Sequence, residues 1–384
     1  MSCIKCGTTA AQFSSFYCFI LFKVIEQIHF SILNHIYSTI KRQKGNNMDK
    51  SSKIHCVKSH FQVIAFAVTC IVLALIFYKP FFRFYGFDRL PVVKEFSQNV
   101  SSTASMVRIG LLINDFNTFK IETGEFTFAG SVWFEYDPQQ ISLEKIKKFH
   151  IWHGKITSIS DPDVRTIGRK ELARFEMTAS FRNSLNYAAF PLDDHSISIG
   201  IFNYSFPKGT IIQCKVSDFQ LEKPFHISGW EVILREVKAG YVDRIFGKDN
   251  AHRAQENHTF FILKCKRTDP VTLITIVLSL MLIMLVSVLS FSIRDSSTDL
   301  ISGAIGGLIA FRFVLAAMSP AHVGYFMVSD YLFVFTLIGV ITAVLSCIAA
   351  RQLHWRESSQ NLVVIGIYGF FVVACASIFL LLLV

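Results

Sequence analysis

The chain has 384 residues, of which 52% are hydrophobic and only 17% are charged, with a mean hydropathy of +0.43. Soluble globular proteins average about 45–50% apolar and about 25% charged residues, so this composition argues against an ordinary soluble protein. The net charge of +10 does not indicate nucleic-acid binding, because much of it lies in one cluster beside an apolar segment.

The first segment able to cross a bilayer runs from Phe61 to Tyr78. A bilayer core about 30 Å thick requires about 20 apolar residues in a helix, whose backbone polar groups then bond within the segment. Basic residues between Lys41 and Lys58 precede this segment, and its other flank is bulky and basic. A signal peptide would end in small residues, so we expect an uncleaved transmembrane anchor at residues 61–78.

Residues 1–60 are expected to form a basic segment that stays in the cytoplasm, because basic flanks of membrane spans are retained there. Residues 1–47 have two interpretations that the sequence leaves open: a mis-assigned start ahead of Met48, or a genuine amphipathic extension. Retention of the basic cluster sends the next domain across the cell membrane, which is the inner membrane if the source is bacterial. Four further crossings then place the C-terminus outside as well.

The region from Ser101 to Arg267 has alternating apolar and polar residues in short runs separated by Gly, Pro, Asn and Asp. These are strand signals, and seven such runs without convincing helices predict an extracytoplasmic β-sandwich over residues 100–268. The predicted strands are Met106–Ile113, Glu125–Tyr136, Ala173–Phe181, His195–Phe202, Thr210–Val216, Trp230–Val237 and Thr259–Lys266.

Catalytic and metal-binding patterns are not found in the sequence. His150 and His153 flank Trp152, but no nucleophile elbow, phosphate-binding loop or metal-ligand spacing accompanies them. We therefore expect no enzymatic activity, no metal and no cofactor. Cys214 and Cys265 could form a disulfide in an oxidising compartment or remain two buried thiols.

Four apolar stretches follow in close succession and predict a four-helix transmembrane domain over residues 269–384. Short connections make neighbouring helices antiparallel. The predicted fold class is therefore a membrane protein with an N-terminal transmembrane anchor, an all-β extracytoplasmic sandwich and a four-helix transmembrane bundle. The four predicted spans are residues 271–293, 300–318, 331–350 and 362–384.

The order of these parts and several motifs resemble the pentameric ligand-gated ion channels, also called Cys-loop receptors. Phe190-Pro191-Leu192-Asp193 is similar to the family's F-P-x-D turn, and an alternating strand follows it. Lys264-Cys265-Lys266-Arg267 ends the last predicted strand just before the first of the four spans, where the family places a basic residue. Ser319-Pro320 matches the family's short outer loop, and Asp330-Tyr331-Leu332-Phe333 matches the start of its next helix. Half-cystines around the turn are absent, so the chain resembles divergent, prokaryotic-like members.

The resemblance implies a homopentamer in the lipid bilayer, in which a small-molecule ligand binds between β-sandwiches and opens a pore lined by Leu300 to Met318. It also implies a coupling set of Asp193, Arg267 and Pro320. A partly desolvated carboxylate and guanidinium pair strongly, and a proline fixes the geometry of its loop. An interdomain salt bridge without a gating role is the alternative.

Aromatic residues near the sandwich edges are the candidates for ligand contact, because aromatic faces attract cations. Packing in the core is the alternative role for each of them. Trp133 and Tyr136 point to opposite faces of an ideal strand, so only one of the two would line a given pocket. The candidates are Trp133, Phe134, Tyr136, Phe202, Tyr204 and Tyr241.

The predicted pore helix is unusually apolar, with Ser302 near its start and Arg312 further along. A charge within a membrane must face water, a partner or the interface, so Arg312 forms a charge ring, an interhelical pair or a snorkelling contact. Asp299 could favour cations at the pore mouth or cap the helix. The apolar helix also suits an alternative function, a membrane-anchored sensor or accessory protein whose helix bundle does not conduct.

Overall fold

The computed structural model describes residues 50–82, 84, 86–94, 105–207, 209–246, 252–293, 297–320 and 323–383. Both interpretations of residues 1–47 concern residues outside this range. Five helices in the described part of the chain are long and apolar enough to cross a membrane. The chain is therefore a multi-pass membrane protein. The candidate spans are Phe61–Tyr78, Val271–Leu289, Ser297–Met318, Val328–Gln352 and Ser358–Ile378.

Helix α1 (Lys50–Phe82) contains the predicted anchor, and this part of the predicted fold class is confirmed. The hydroxyl of Thr69 donates to the carbonyl of Ala65 at 2.8 Å, so this polar group is satisfied within the helix, as a bilayer requires. Thr69 and Leu73 are buried. The exposed face is apolar and suits contact with lipid; it includes Ile64, Val68, Ile71 and Leu75.

The four predicted C-terminal helices are α3 (Val271–Leu289), α4 (Ser297–Met318), α5 (Val328–Gln352) and α6 (Glu357–Leu383). A short helix, α2 (Leu143–Ile146), lies in the β domain. Both α4 and α5 begin about one turn before the predicted spans. Their first turns contain Asp299 and Asp330. A prediction from hydropathy leaves such charged residues in the loops, but an acidic residue is favourable at a helix N-terminus.

The chain divides into two compact units, and the described part of the first consists of helices and the turns that join them: residues 50–76, 280–308 and 335–377. A Cβ at Gly339 would lie 3.3 Å from the sulfur of Met284 and 3.6 Å from a methyl group of Ile367. The missing side chain at Gly339 thus allows α5 to pack closely against α3 and α6.

The second unit comprises residues 77–279, 309–334 and 378–384, and it contains the β domain together with helix ends. Its described strands are β1 (Met106–Lys120), β2 (Glu125–Tyr136), β3 (His150–Ile151), β4 (Gly154–Ile159), β5 (Asp163–Ile167), β6 (Lys170–Arg182), β7 (His195–Phe202), β8 (Ile211–Gln213), β9 (Phe219–Leu221), β10 (Trp230–Phe246) and β11 (His252–Arg267). They form two sheets, ordered β4-β6-β2-β1-β8 and β10-β11-β7-β3; β5 also pairs with β6, and β9 with β1.

Apolar side chains of the two sheets meet to form the core of the β domain. Phe219 of the larger sheet packs edge-on against Phe261 of the smaller one, with ring centroids 5.2 Å apart. Phe119 and Trp230 also pack across the sheets, at 6.4 Å. The two-sheet β domain that the alternating pattern predicted is confirmed.

Cys214 and Cys265 are both free thiols, so of the two states that the sequence left open the structure contains the unpaired one. Cys265 is buried on β11 opposite His195, and Cys214 is half-buried after β8. Burial raises the pKa of the Cys265 thiol to about 12, so the group is neutral at ordinary pH.

Candidate functional site

The turn between β6 and β7 carries the F-P-x-D sequence and is closed at its base by a side chain. The backbone N–H of Ser198 donates to Oδ1 of Asn183 at 2.6 Å, and Nδ2 of Asn183 donates to the carbonyl of Ser198 at 3.0 Å. Phe190 and Leu192 are buried and anchor the middle of the turn. We call residues 183–196 the coupling turn.

Asp193 and Arg267, predicted as a pair from the motif, are in contact. Nη2 and Nε of Arg267 donate to one carboxylate oxygen of Asp193 at 3.1 and 3.2 Å. The backbone N–H of Arg267 donates to Asp194 at 2.9 Å, and its guanidinium lies 4.5 Å from the ring centroid of Trp230. Asp193 is 1% exposed and Arg267 17%, so the pair is largely desolvated.

His195 lies between two carboxylates. One ring nitrogen is 2.8 Å from Asp193 and the other 3.2 Å from Asp88. A carboxylate only accepts hydrogen bonds, so this arrangement favours an imidazolium with a proton on each nitrogen. Burial lowers the pKa of His195, but its bonds to Asp193 and Asp88 and their negative charges outweigh burial and raise the pKa to about 9.

Asp193 remains ionised although it is fully buried. Burial raises the pKa of its carboxyl, but the hydrogen bond from His195 and the positive charge of Arg267 together lower it below the ordinary value. The network therefore contains alternating charges, namely Asp88, His195, Asp193 and Arg267. Sequence reasoning identified only its last two members.

The coupling turn also bonds to the start of α5. The N–H of Val328 donates to the carbonyl of Ala188 at 3.0 Å, and the N–H of Ser329 donates to that of Phe190 at 3.1 Å. The first N–H groups of a helix have no partner within it, so these carbonyls supply the missing acceptors. Sequence analysis missed these bonds because their atoms belong to the backbone.

The loop between α4 and α5 makes a further bond to the turn. The backbone N–H of Tyr187 donates to the hydroxyl of Tyr325 at 2.8 Å. Pro320 is buried in the same loop. Among the described residues, the hydrogen bonds from this region to the turn come from Tyr325, Val328 and Ser329, and a coupling role for Pro320 stays a prediction.

Arg312 on α4 forms a pair with α5. Its Nη1 donates to Asp330 at 2.8 Å, and its guanidinium lies 5.5 Å from the ring centroid of Phe333. The other oxygen of Asp330 accepts the N–H of Met327 at 3.1 Å. Of the alternatives for Arg312, this geometry corresponds to the interhelical pair.

Asp299 and Ser302 are exposed near the start of α4. Asp299 lies in the first helical turn, where a negative charge interacts favourably with the helix dipole. The opposite stripe of α4 is buried and apolar; it consists of Ala304, Leu308, Phe311 and Leu315. The proposed pore roles of Asp299 and Ser302 stay predictions.

No known family model and no curated protein matches this chain. Its architecture, a β-sheet domain followed by four long apolar helices, is nevertheless consistent with that of the pentameric ligand-gated channels. That agreement therefore rests on architecture and on the motifs described above. No group of three or more potential metal-ligating side chains occurs in the described part of the chain.

The aromatic residues proposed for ligand binding lie in three places, of which the first is β2. Phe134 and Tyr136 are fully buried, and the hydroxyl of Tyr136 donates to Glu171 at 2.7 Å, so both rings are part of the core. Trp133 lies on the opposite face of β2, 5.6 Å from the guanidinium carbon of Arg108, in keeping with strand alternation. Their ligand contacts stay predictions.

Phe202 and Tyr204 belong to a cluster at the end of β7. Their ring centroids are 4.8 Å apart, and His150 lies 5.5 Å from Phe202 and 5.7 Å from Tyr204. His258 completes the cluster with Trp152, 4.8 Å away, while Tyr204 is 53% exposed. We call these five residues the aromatic cluster.

Tyr241, the remaining candidate, lies on β10 outside this cluster. Its backbone pairs with Lys94, whose ammonium group is 6.0 Å from the Tyr241 ring centroid. No sequence pattern marked His258, whose partner on the neighbouring strand is Phe202. His150 and Trp152 stood out in the sequence only as possible catalytic residues.

Proposed function

We propose that the chain is the subunit of a homopentameric, ligand-gated ion channel whose pore is lined by α4. One observation carries the proposal: the coupling turn is bonded both to Arg267, just before α3, and to the start of α5. A displacement of the turn would therefore act on the ends of two helices at once. The loop that follows α4 is attached to the same turn through Tyr325.

The transmission step follows from these bonds. Arg267 precedes α3 by a few residues, so its bonds to Asp193 and Asp194 fix where the chain leaves the β domain. The carbonyls of Ala188 and Phe190 hold the first amides of α5. A ligand that binds one conformation of the β domain more tightly increases the population of that conformation. The contacts of the turn with α3 and α5 then change, and the pore opens.

The exposure of α4 supports an oligomer with a central pore. In its most apolar window 22% of the residues are buried within one chain, the same share as in α1, against 39%, 33% and 39% for α3, α5 and α6. A helix that lines a pore and also packs on neighbouring copies must be exposed on more than one face of its own chain. Asp299 and Ser302 would then lie near one mouth of the pore.

The ligand site is proposed at the aromatic cluster. Two of the six residues predicted from the sequence converge there with three further rings, and Tyr204 offers an exposed ring face. Glu256 lies 3.3 Å from His258 and adds a carboxylate to the region. Aromatic faces beside a carboxylate favour a small cationic ligand.

The proposed orientation places the β domain and the C-terminus outside the cell membrane. The α5–α6 connection carries Arg351 and Arg356, whereas residues 319–328 between α4 and α5 contain no Lys or Arg. Basic loops are retained in the cytoplasm, which agrees with this orientation. Labelling of single cysteines introduced at Ser217 and Arg356 from either side of sealed vesicles would test it.

The first test of the channel function is the mass of the detergent-purified protein, followed by recording in planar bilayers. We expect a pentamer and a conductance that choline or tetramethylammonium, used as cationic probes, increases. A stable monomer without current would contradict the proposal.

The proposed ligand site is tested by substitution within the aromatic cluster. Tyr204→Ala removes an exposed ring face and should raise the half-maximal probe concentration about tenfold, since one cation–π contact contributes about 1–2 kcal/mol. Trp133→Ala is the matched control, because Trp133 is also aromatic but lies on the other sheet. If both variants have the same half-maximal probe concentration, the ligand site does not lie at the aromatic cluster.

A second candidate function is a membrane-anchored sensor or accessory protein that does not conduct. The pairing of Arg312 with Asp330 favours it, because the pair occupies the one basic side chain of α4 within its own chain. A pentamer that never conducts under any probe, yet whose β domain binds choline, would support this function over the channel.

A further inference from the structure

Residues 86–94, which lie between α1 and β1, pair with the β domain at both of their ends. At one end Gly86 pairs with Asp194, and at the other Lys94 pairs with Tyr241 through two backbone hydrogen bonds of 3.0 Å. A Cβ on Gly240 would lie only 2.2 Å from the carbonyl oxygen of Lys94, so this close approach requires glycine. We call residues 86–94 the strap.

Asp88 of the strap joins two points of the coupling turn, Asn186 and Ser196. One of its oxygens accepts the N–H of Asn186 at 2.7 Å, and the other accepts the N–H of Ser196 at 2.6 Å. His195 donates to the same carboxylate at 3.2 Å, and the Asp88 side chain is 2% exposed. A single buried carboxylate therefore closes the stretch between Asn186 and Ser196.

The closed stretch is the part of the turn that contacts the helices. Between the two amides that Asp88 holds lie Ala188 and Phe190, whose carbonyls accept the first amides of α5. The second route from Asp88 runs through His195 and Asp193 to Arg267. Asp88 thus lies at the origin of both connections from the turn to the helices.

We propose that Asp88 is a positioning residue for the coupling turn, and that the strap thereby makes α1 a control element of the coupling. Only a few residues separate the end of α1 from Gly86, so a shift of the helix end along the membrane normal is passed to the strap. The gating part of this inference rests on the proposed channel function. Closure of the turn by Asp88 is independent of it.

Asp88→Asn is the most direct test, because it keeps the shape of the side chain. The carboxamide of Asn has one oxygen that accepts and one NH2 group that donates. In either orientation the NH2 group therefore faces a backbone N–H, that of Asn186 or of Ser196, and one of the two hydrogen bonds is lost. Loss of a hydrogen bond to a buried carboxylate should speed local opening about tenfold or more. Hydrogen exchange of the full-length protein in detergent, followed by mass spectrometry, measures this opening.

The expected pattern is selective. Peptides containing Asn186 and Ser196 should exchange faster in Asp88→Asn, and so should the peptide containing Val328 and Ser329, whereas the β2–β6 pairs should not change. Asp218→Asn is the matched control, because Asp218 is also buried, accepts the N–H of Lys215 at 3.0 Å and pairs with Arg108 at 2.6 Å. It should leave the α5 amides unchanged.

Unchanged exchange at Val328 and Ser329 in Asp88→Asn would overturn the positioning role, even if the strap itself loosens. If that variant does not accumulate as folded protein, Asp88→Glu applies the same comparison. It keeps the charge, but one added methylene displaces both oxygens.

Bilayer recording separates this inference from the proposed function. In a conducting wild type, Asp88→Asn should change the open probability at least severalfold at constant single-channel conductance, because Asp88 lies outside the conduction path. An unchanged open probability would overturn the control role of the strap. Faster α5 exchange in a protein that never conducts would instead leave turn closure standing and refute the channel.

Discussion

The β domain contains two clusters of paired acidic and basic side chains, and they differ in how many parts of the fold they join. Arg108 pairs with Asp218 at 2.6 Å on the larger sheet, with its side chain 37% exposed. The network of Asp88, His195, Asp193 and Arg267 is more deeply buried and joins residues from the strap, the coupling turn and the end of β11. Burial of both partners, rather than the presence of a salt bridge, distinguishes this network from the partly exposed pair of Arg108 and Asp218.

The largest expected effect comes from breaking the buried network at its last member. Arg267→Ala leaves Asp193 buried with only His195 as a charged partner and removes the contact with Trp230. We expect loss of probe-evoked current and a destabilisation of about 3 kcal/mol, the order found when one partner of a buried pair is removed. Recording in bilayers and thermal unfolding monitor the two effects.

The mass of the Arg267→Ala protein must be measured, because a subunit that does not assemble forms no pore and carries no current whether or not coupling is intact. Arg267→Lys is the control: it keeps the charge but not the forked contact with Asp193. Unchanged currents in an assembled Arg267→Ala protein would refute the coupling role of this pair.

The next effect is a dependence of stability on pH that only the buried network should produce. The folded-state pKa of His195 is raised to about 9, above its ordinary value of 6.5. The folded protein therefore binds the proton more tightly than the unfolded chain, so this stabilisation is complete below about pH 6.5 and lost as the pH rises through about 9. Asp193 stays ionised over this window, since its pKa is lowered.

Thermal unfolding between pH 6.5 and 9.5 measures this dependence. The wild-type midpoint should fall over that range, and His195→Gln should begin lower and show a shallower slope. The groups facing the imidazole are Asp88, Asp193 and the rings of Tyr187 and Trp230. Equal slopes for both proteins would show that the imidazole is not the titrating group.

The smallest effect is expected at the pair of Arg108 and Asp218. Arg108→Ala should cost about 1 kcal/mol or less, because the guanidinium is partly exposed and its Coulomb interaction is screened. Chemical denaturation provides the measurement. A loss as large as that of Arg267→Ala would mean that burial does not explain the difference between the two clusters.

The sequence predicted the fold where side-chain alternation was strong. The bounds of β2 and β7 match the predicted strands because each has one consistently apolar face. In contrast, β5 escaped prediction, since all its residues are exposed and no hydrophobic period marks it. The observed β10 and β11 continue far beyond Val237 and Thr259, the inner limits predicted from the apolar pattern.

The coupling site was predictable only where a local motif marked it. Asp193 and Arg267 stand in recognisable positions, whereas Asp88 lies 98 residues from Asn186 and 107 from His195 along the chain. No periodicity links residues so distant, so the strap became visible only in the structure. Conversely, strand alternation already placed Phe134 and Tyr136 on one face of β2, which the structure buries.

The bonds between the coupling turn and α5 have a consequence for how the helix itself could respond. Its first amides find their acceptors in another part of the chain, rather than in a capping side chain. When the turn withdraws, those amides must either find water or give up the first turn of the helix. Under the proposed channel function, the winding of this one helical turn would be part of the gate.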